Sequence, residues 1–140
     1  MAKFSATDVY VLLGGQNISD WCFSVDAPDA KNQIDVSGFN STGAMEFVPG
    51  SRDQTITLGV LQDFGATQIH ALVNPLYVNN TVTTIELRPT SSARSSTNPW
   101  YGGSAQIYEY DGLNATLNNR AEITLTLRPA SNAVWAWATV

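Results

Sequence analysis

The sequence predicts a mainly β fold, a two-layer antiparallel β-sandwich or flattened barrel with one flanking α-helix. Three observations predict it. About seven or eight segments alternate apolar and polar residues with period two, the mark of half-buried strands. A single segment carries an apolar stripe at helical spacing. The 140 residues are 44% hydrophobic and 14% charged, with plentiful Thr, Val, Ile and aromatics and two lysines, a composition suited to a pleated, half-buried surface. A chain of this length can bury about two thirds of its unfolded surface as one domain, here taken as 1–140.

Taken in order, TDVYVLL (7–13) sets Val9, Val11 and Leu13 against Asp8, Tyr10 and Leu12, a strand closed by a turn at Gly14–Asn17. DWCFSVD (20–26) places Trp21, Phe23 and Val25 opposite Asp20, Cys22 and Ser24, so a hairpin of these two strands is expected. A polar connection, 27–32, leads to a short strand near 33–37. The stretch SGFNSTGAMEFVPGSR (37–52) follows, broken by three glycines and a proline yet apolar near its middle; it is expected to be a long loop at about 38–52. DQTITLGVLQ (53–62) directs Ile56, Leu58 and Val60 to one face and Thr55 and Thr57 to the other. Ile69, Leu72, Val73 and Leu76 then form the helical stripe, which Pro75 should end near Asn74.

Strand character returns at VTTIELRP (82–89), with Ile85 and Leu87 inward and Thr84, Glu86 and Arg88 outward. A polar tract (90–99) runs into Trp100–Gly103, then SAQIYEY (104–110) with Tyr108 and Tyr110 on one face, a turn at Asp111–Gly112 and a polar loop through Asn118–Asn119. AEITLTLRP (121–129) sets Ile123, Leu125 and Leu127 against Glu122, Thr124, Thr126 and Arg128. The terminal AVWAWATV alternates Trp135 and Trp137 with alanines, a last strand or a short arm at about 130–140.

Charge and motifs exclude several functions. A formal charge of −5 without any basic cluster opposes a protein that grips nucleic acid through phosphates. Cys22 stands alone, so no internal disulfide forms and a reducing compartment fits. MAKFSATDVYV lacks a charged leader and apolar run, so no signal peptide is expected; the sequons at Asn17, Asn40, Asn79 and Asn114 are read as chance. No apolar stretch approaches bilayer-spanning length. The lone histidine, His70, has no Ser or Cys nucleophile placed beside it by spacing, Cys22 included. Asp26, Asp29 and Asp35 lack calcium-loop spacing, and zinc ligands are missing. No enzyme, cofactor or metal site is expected.

What remains is surface. Met45, Phe47 and Val48, Trp100 and Tyr101, and Trp135 and Trp137 place large apolar groups in segments read as irregular, and such residues are enriched at interface cores; the competing reading folds them back as a lid on the chain's own core. The threonine-rich strand faces suit either a solvent-facing sheet or a sheet joined to its neighbours in a closed ring, which removes exposed edges.

In its order of features the chain resembles the tail tube proteins of long-tailed, siphovirus-like bacteriophages. The resemblance runs through VYVLLGGQNISDW, the loop ending in FVPGSRDQTITL, the single helix, NPWYGGSAQIYEYDG and the final AEITLTLRP. It implies rings, hexameric in that family, whose sheets line a bore and which stack into a tube through which DNA leaves the capsid. The segment Gly38–Arg52 would then be covered by an adjacent copy through Met45, Phe47 and Val48. The partners implied are the protein itself and other tail proteins, in a virion made in the bacterial cytoplasm. DNA would pass unbound along an acidic, hydroxyl-bearing wall, with Glu86, Glu109 and Glu122 its candidates. Related sandwiches also serve as tail terminators or connectors, and a capsid decoration protein, another surface-covering structural module, is a further possibility. From another class, a carbohydrate-binding β-sandwich would use Trp100, Tyr101, Trp135 or Trp137 as sugar platforms.

Overall fold

The computed structural model describes residues 4–39 and 43–140. Eight strands form one antiparallel sheet, and two more form a separate hairpin. In chain order these are β1 (Tyr10–Leu13), β2 (Gln16–Asn17), β3 (Cys22–Asp26), β4 (Asp29–Asp35), β5 (Phe47–Gln54), β6 (Ile56–Leu61), α1 (Ile69–Val78), β7 (Thr83–Arg88), β8 (Trp100–Tyr110), β9 (Glu122–Pro129) and β10 (Ala136–Ala138). The expected fold class holds: mostly β, with one short flanking helix.

The main sheet runs β2-β1-β7-β8-β9-β6-β3, with β10 added beside the start of β8. Gly14 and Gly15, at φ 60° and 82°, make the two-residue turn that joins β1 to β2, a geometry that needs positive φ at both positions. The expected hairpin of the first two long strands does not form. β3 pairs with β6 and lies at the far end of the sheet from β1. Residues 18–21 separate β2 from β3 and can span no more than roughly 18 Å, so the two ends of the sheet curl towards each other. The linker touches both: Ile18 N donates to Val11 O at 3.0 Å, and Leu61 N donates to Trp21 O at 2.7 Å.

Alternation builds the core where both strands of a pair obey it. Ile56 faces Leu127, Leu58 faces Leu125 and Val60 faces Ile123 across β6 and β9, and all six are buried. From the helix, Ile69 and Val73 are fully buried, with Leu72 and Leu76 packed against the same core; full burial of each such side chain is worth about 1.5–3 kcal/mol. That burial explains why α1 does not stop before Pro75. The ring removes one backbone donor, yet Asn79 N donates to Pro75 O and Thr81 N to Leu76 O, both at 3.1 Å, and Asn80 at φ 52° ends the helix.

Two bulges correct the predicted faces. One between Cys22 and Ser24 turns Cys22 to the core and lays Phe23 across Gly59, whose added Cβ would meet the Phe23 ring at 2.9 Å. The other, between Ile107 and Glu109, separates Tyr108, which is exposed, from Tyr110, which packs against the core. At Gly102 a Cβ would lie 1.9 Å from the Ile85 carbonyl oxygen, so β7 and β8 approach as closely as they do because that side chain is absent.

Candidate self-assembly surface

The segment expected to be a polar connection, a short strand and a long loop is instead a projecting arm. β4 and β5 pair only with each other, in the register Gln33↔Pro49, Ile34↔Val48 and Asp35↔Phe47. Residues 40–42 of the predicted loop lie outside the described residues. Ser37 clasps the start of β5: its Oγ accepts from Glu46 N at 2.7 Å, and Val36 N donates to Glu46 O at 3.0 Å. Hydrogen bonds from Ser37, first from its side chain and then from its backbone, hold the Asp35 carboxyl below the ordinary carboxylate range.

Strand periodicity assigns the arm's apolar residues to both of its faces. Ile34 and Val48 oppose each other on one face, whereas Phe47 is opposite Asp35 on the other. Ile34, Val36, Met45, Phe47 and Val48 are between 44% and 66% exposed. Isolated exposed apolar residues are ordinary; five on one two-stranded element, even spread over both of its faces, make it a candidate interaction site. Ile34 and Val36 were missed as contact candidates, although their alternation in QIDVS was visible.

The root of the arm is tied down by a buried polar knot. Gln54, 4% exposed, donates from Nε2 to Trp135 O at 2.8 Å and to Tyr101 Oη and Asp29 Oδ2, both at 3.1 Å. Its Oε1 accepts from Trp135 N at 2.9 Å. Arg52 pairs with Asp29, and this hydrogen bond first of all keeps the Asp29 carboxyl below its usual range. The arm therefore projects from a rigid root while its outer part is uncovered.

The aromatic candidates divide differently from expectation. None lies in a long irregular segment: Trp100 and Tyr101 open β8, Trp137 lies in β10 and Trp135 immediately precedes it. Trp135 is fully buried and Tyr101 is 2% exposed; both complete this chain's own core, as the lid reading required, and neither is available to a neighbour. Trp100 lies under the Arg94 guanidinium at 4.4 Å and donates from Nε1 to Val140 O at 2.9 Å. Trp137 is 63% exposed, beside Tyr101.

The acidic candidates also separate. Glu86 is buried beneath Arg88 and Arg94, which both pair with it. Burial pushes its carboxyl up, but the two guanidinium groups outweigh that and hold it below the usual range. Alternation had placed it outward; Arg94, delivered by the polar tract, covers it. Glu109 and Glu122 remain exposed. A cross-strand row, Asp26–Thr57–Thr126–Glu109, runs over β3, β6, β9 and β8, with Thr126 Oγ1 donating to Glu109 at 3.2 Å. The arginines near this face are neutralised locally, Arg120 by Glu122 and Arg128 by Asp53.

No catalytic constellation assembles around the remaining candidates. Burial pushes the Cys22 thiol up to about 12, so it is not a nucleophile at neutral pH. His70 Nδ1 bonds the Tyr110 hydroxyl, and its ring lies tilted at 54° against Phe64. Among the described residues no group of three His, Cys, Asp or Glu is placed to hold a metal ion. No helix among the described residues is long and apolar enough to cross a membrane.

No protein-family profile matches the chain, and no curated protein matches it by sequence. Solved structures do. A chain in the virion of a native gene transfer agent particle superposes with a TM-score of 0.75 at 14% identity, over 96% of this chain and 98% of that one. A chain of the SPP1 tail tube gives 0.75 at 12% identity, over 99% and 80%. A chain of the PVC sheath–tube complex, from an extracellular contractile injection system in the extended state, gives 0.69 at 17% identity, over 99% and 93%. At such identities the likeness establishes a shared fold.

Proposed function

We propose that this protein is a structural subunit of a phage-like tail, assembling with copies of itself into rings that stack as a hollow tube. The observation that carries the reading is the β4–β5 arm. It is anchored by Gln54 and Arg52 yet bears Ile34, Val36, Met45, Phe47 and Val48 uncovered. The fold shared with chains from tail, tube and injection-system assemblies supports it. We take the rings as six-fold, the particle as a virion tail made in the bacterial cytoplasm, and the other partners as further tail proteins.

In this reading the Asp26–Thr57–Thr126–Glu109 row faces the bore, together with Glu122. DNA must slide along such a wall without binding. Phosphate contacts through Lys or Arg release counterions and hold the strand; hydroxyls, carboxylates and self-paired arginines offer no such grip. Glu86 is dropped from the wall because its carboxylate is occupied beneath two arginines. The carbohydrate alternative keeps one of its four platforms, the exposed Trp137, because Tyr101 and Trp135 are interior and Trp100 carries Arg94 across its ring.

Negative-stain microscopy of the concentrated protein tests the proposal. Hollow tubes or stacked rings are expected, with six-fold end views. Single closed rings that never stack would move the protein to a terminator or connector, trimers would make it a decoration protein, and monomers at every concentration would refute self-assembly. In tubes carrying Glu109→Lys and Glu122→Lys, assembly should persist while added DNA is retained in a salt-dependent manner.

A further inference from the structure

The exposed arm needs a complementary surface, and the same chain carries one. Where the two ends of the curled sheet approach, between β1 and β3, lies an open groove of about 690 Å³. Its walls are mainly apolar, including Phe4, Val9, Phe23, Val25, Leu87 and Trp137. Phe4, Phe23 and Trp137 are 62%, 43% and 63% exposed. Among the described lining residues the only charged one is Arg88 and none is acidic; Arg88 shares the buried Glu86 carboxylate with Arg94, so the three together leave one net positive charge beside the groove.

The outer part of the arm has the opposite character. Beside its apolar residues it carries two carboxylates, Asp35 and Glu46, whereas its cations Lys31 and Arg52 lie towards the root. An apolar, carboxylate-bearing element and an apolar groove with one cation and no acid are complementary in both hydrophobicity and charge. Fitting them together covers apolar surface on both partners and puts no carboxylate against another.

We infer that the outer part of the β4–β5 arm of one copy docks into the β1/β3 groove of a second copy. The inference rests on the self-assembly reading and deepens it by naming the receiving surface. Because arm and groove are different surfaces of the same chain, the contact is heterologous. It repeats from copy to copy and generates a ring or a filament, where a self-complementary contact would stop at a dimer.

A mixing experiment tests it. Met45→Ser/Phe47→Ser disables the arm and leaves the groove intact. Thr7→Glu/Ser24→Glu places carboxylates at exposed groove positions and leaves the arm intact. Circular dichroism melts first confirm that both are folded. Each alone should sediment as a monomer, while a 1:1 mixture should form a dimer that grows no further, because only one functional contact remains per pair. A mixture that stays monomeric, or a Thr7→Glu/Ser24→Glu protein that still polymerises, overturns the groove assignment while assembly of the unaltered protein leaves the broader reading standing. If the unaltered protein never associates, both fall.

Discussion

The β6–β9 pair and the β4–β5 pair are both antiparallel hydrogen-bonded ladders, yet they end in opposite states. In β6–β9 every inward residue finds an apolar partner within the chain: Ile56, Leu58, Val60, Ile123, Leu125 and Leu127 are all buried. In β4–β5 the whole of β4 is exposed, and Phe47 and Val48 stand half open. Backbone pairing alone does not account for the difference, since both ladders have it. One face of β6–β9 is covered by the rest of the fold, whereas neither face of the arm is. A two-stranded ladder is marginal without such cover, so the arm borrows rigidity from its root.

The comparison makes graded predictions. The largest effect belongs to the body. Leu125→Ala, in a fully buried position, should lower stability by about 2–5 kcal/mol, measured by urea denaturation, whereas Phe47→Ser in the monomer should shift it by no more than about 0.5 kcal/mol. Equal losses would erase the distinction between the regions. A middle effect belongs to the junction. Gln54→Ala removes the bonds to Trp135 and Tyr101, leaving buried polar groups unpaired at a cost of about 1–3 kcal/mol. Hydrogen exchange should then quicken in the arm's amides more than in β6 and β9; uniform quickening would show that the root does not govern the arm.

How much of this was legible in the sequence follows the same division. Segments with one buried face announced themselves, and the alternation of ITLGVL and EITLTL located β6 and β9 with the correct inward residues. The arm's DAKNQID shows alternation only at its end, where Ile34 leads on to Val36, because nothing in the chain buries the strand. Pairing partners were not legible either. The two-residue β2 is the only strand between β1 and β3 in sequence, but the strand order sets them towards opposite ends of the sheet, a long-range outcome that local pattern does not encode. Trp135 and Tyr101 looked like surface aromatics because their buried partner, Gln54, sits more than forty residues away from either. Met45, Phe47 and Val48 stood out because apolar residues amid glycines had no local use, and all three are exposed.

The smallest expected effect is electrostatic and confined to the body. Glu86 has its carboxyl held below its ordinary value of 4.5 by Arg94 and Arg88, against the opposing push of burial. A depressed carboxylate lends stability that is present above the unfolded value and drains as pH falls through the folded one. Stability should therefore decline as the pH drops below about 4.5, and Glu86→Gln should flatten that decline while lowering stability at neutral pH. An unchanged acid limb in the variant would remove Glu86 from the body's electrostatic anchoring.

The central claim is that the arm is unfinished on a single copy and is completed by another. Sedimentation velocity over a concentration series, run on the unaltered protein and on Met45→Ser/Phe47→Ser with matched thermal melts, tests it most directly. The account predicts growth to large assemblies for the first, a monomer at every concentration for the second, and coincident cooperative melts for the two monomers. A variant that assembles like the unaltered protein, or one whose melt loses its cooperativity, would contradict it.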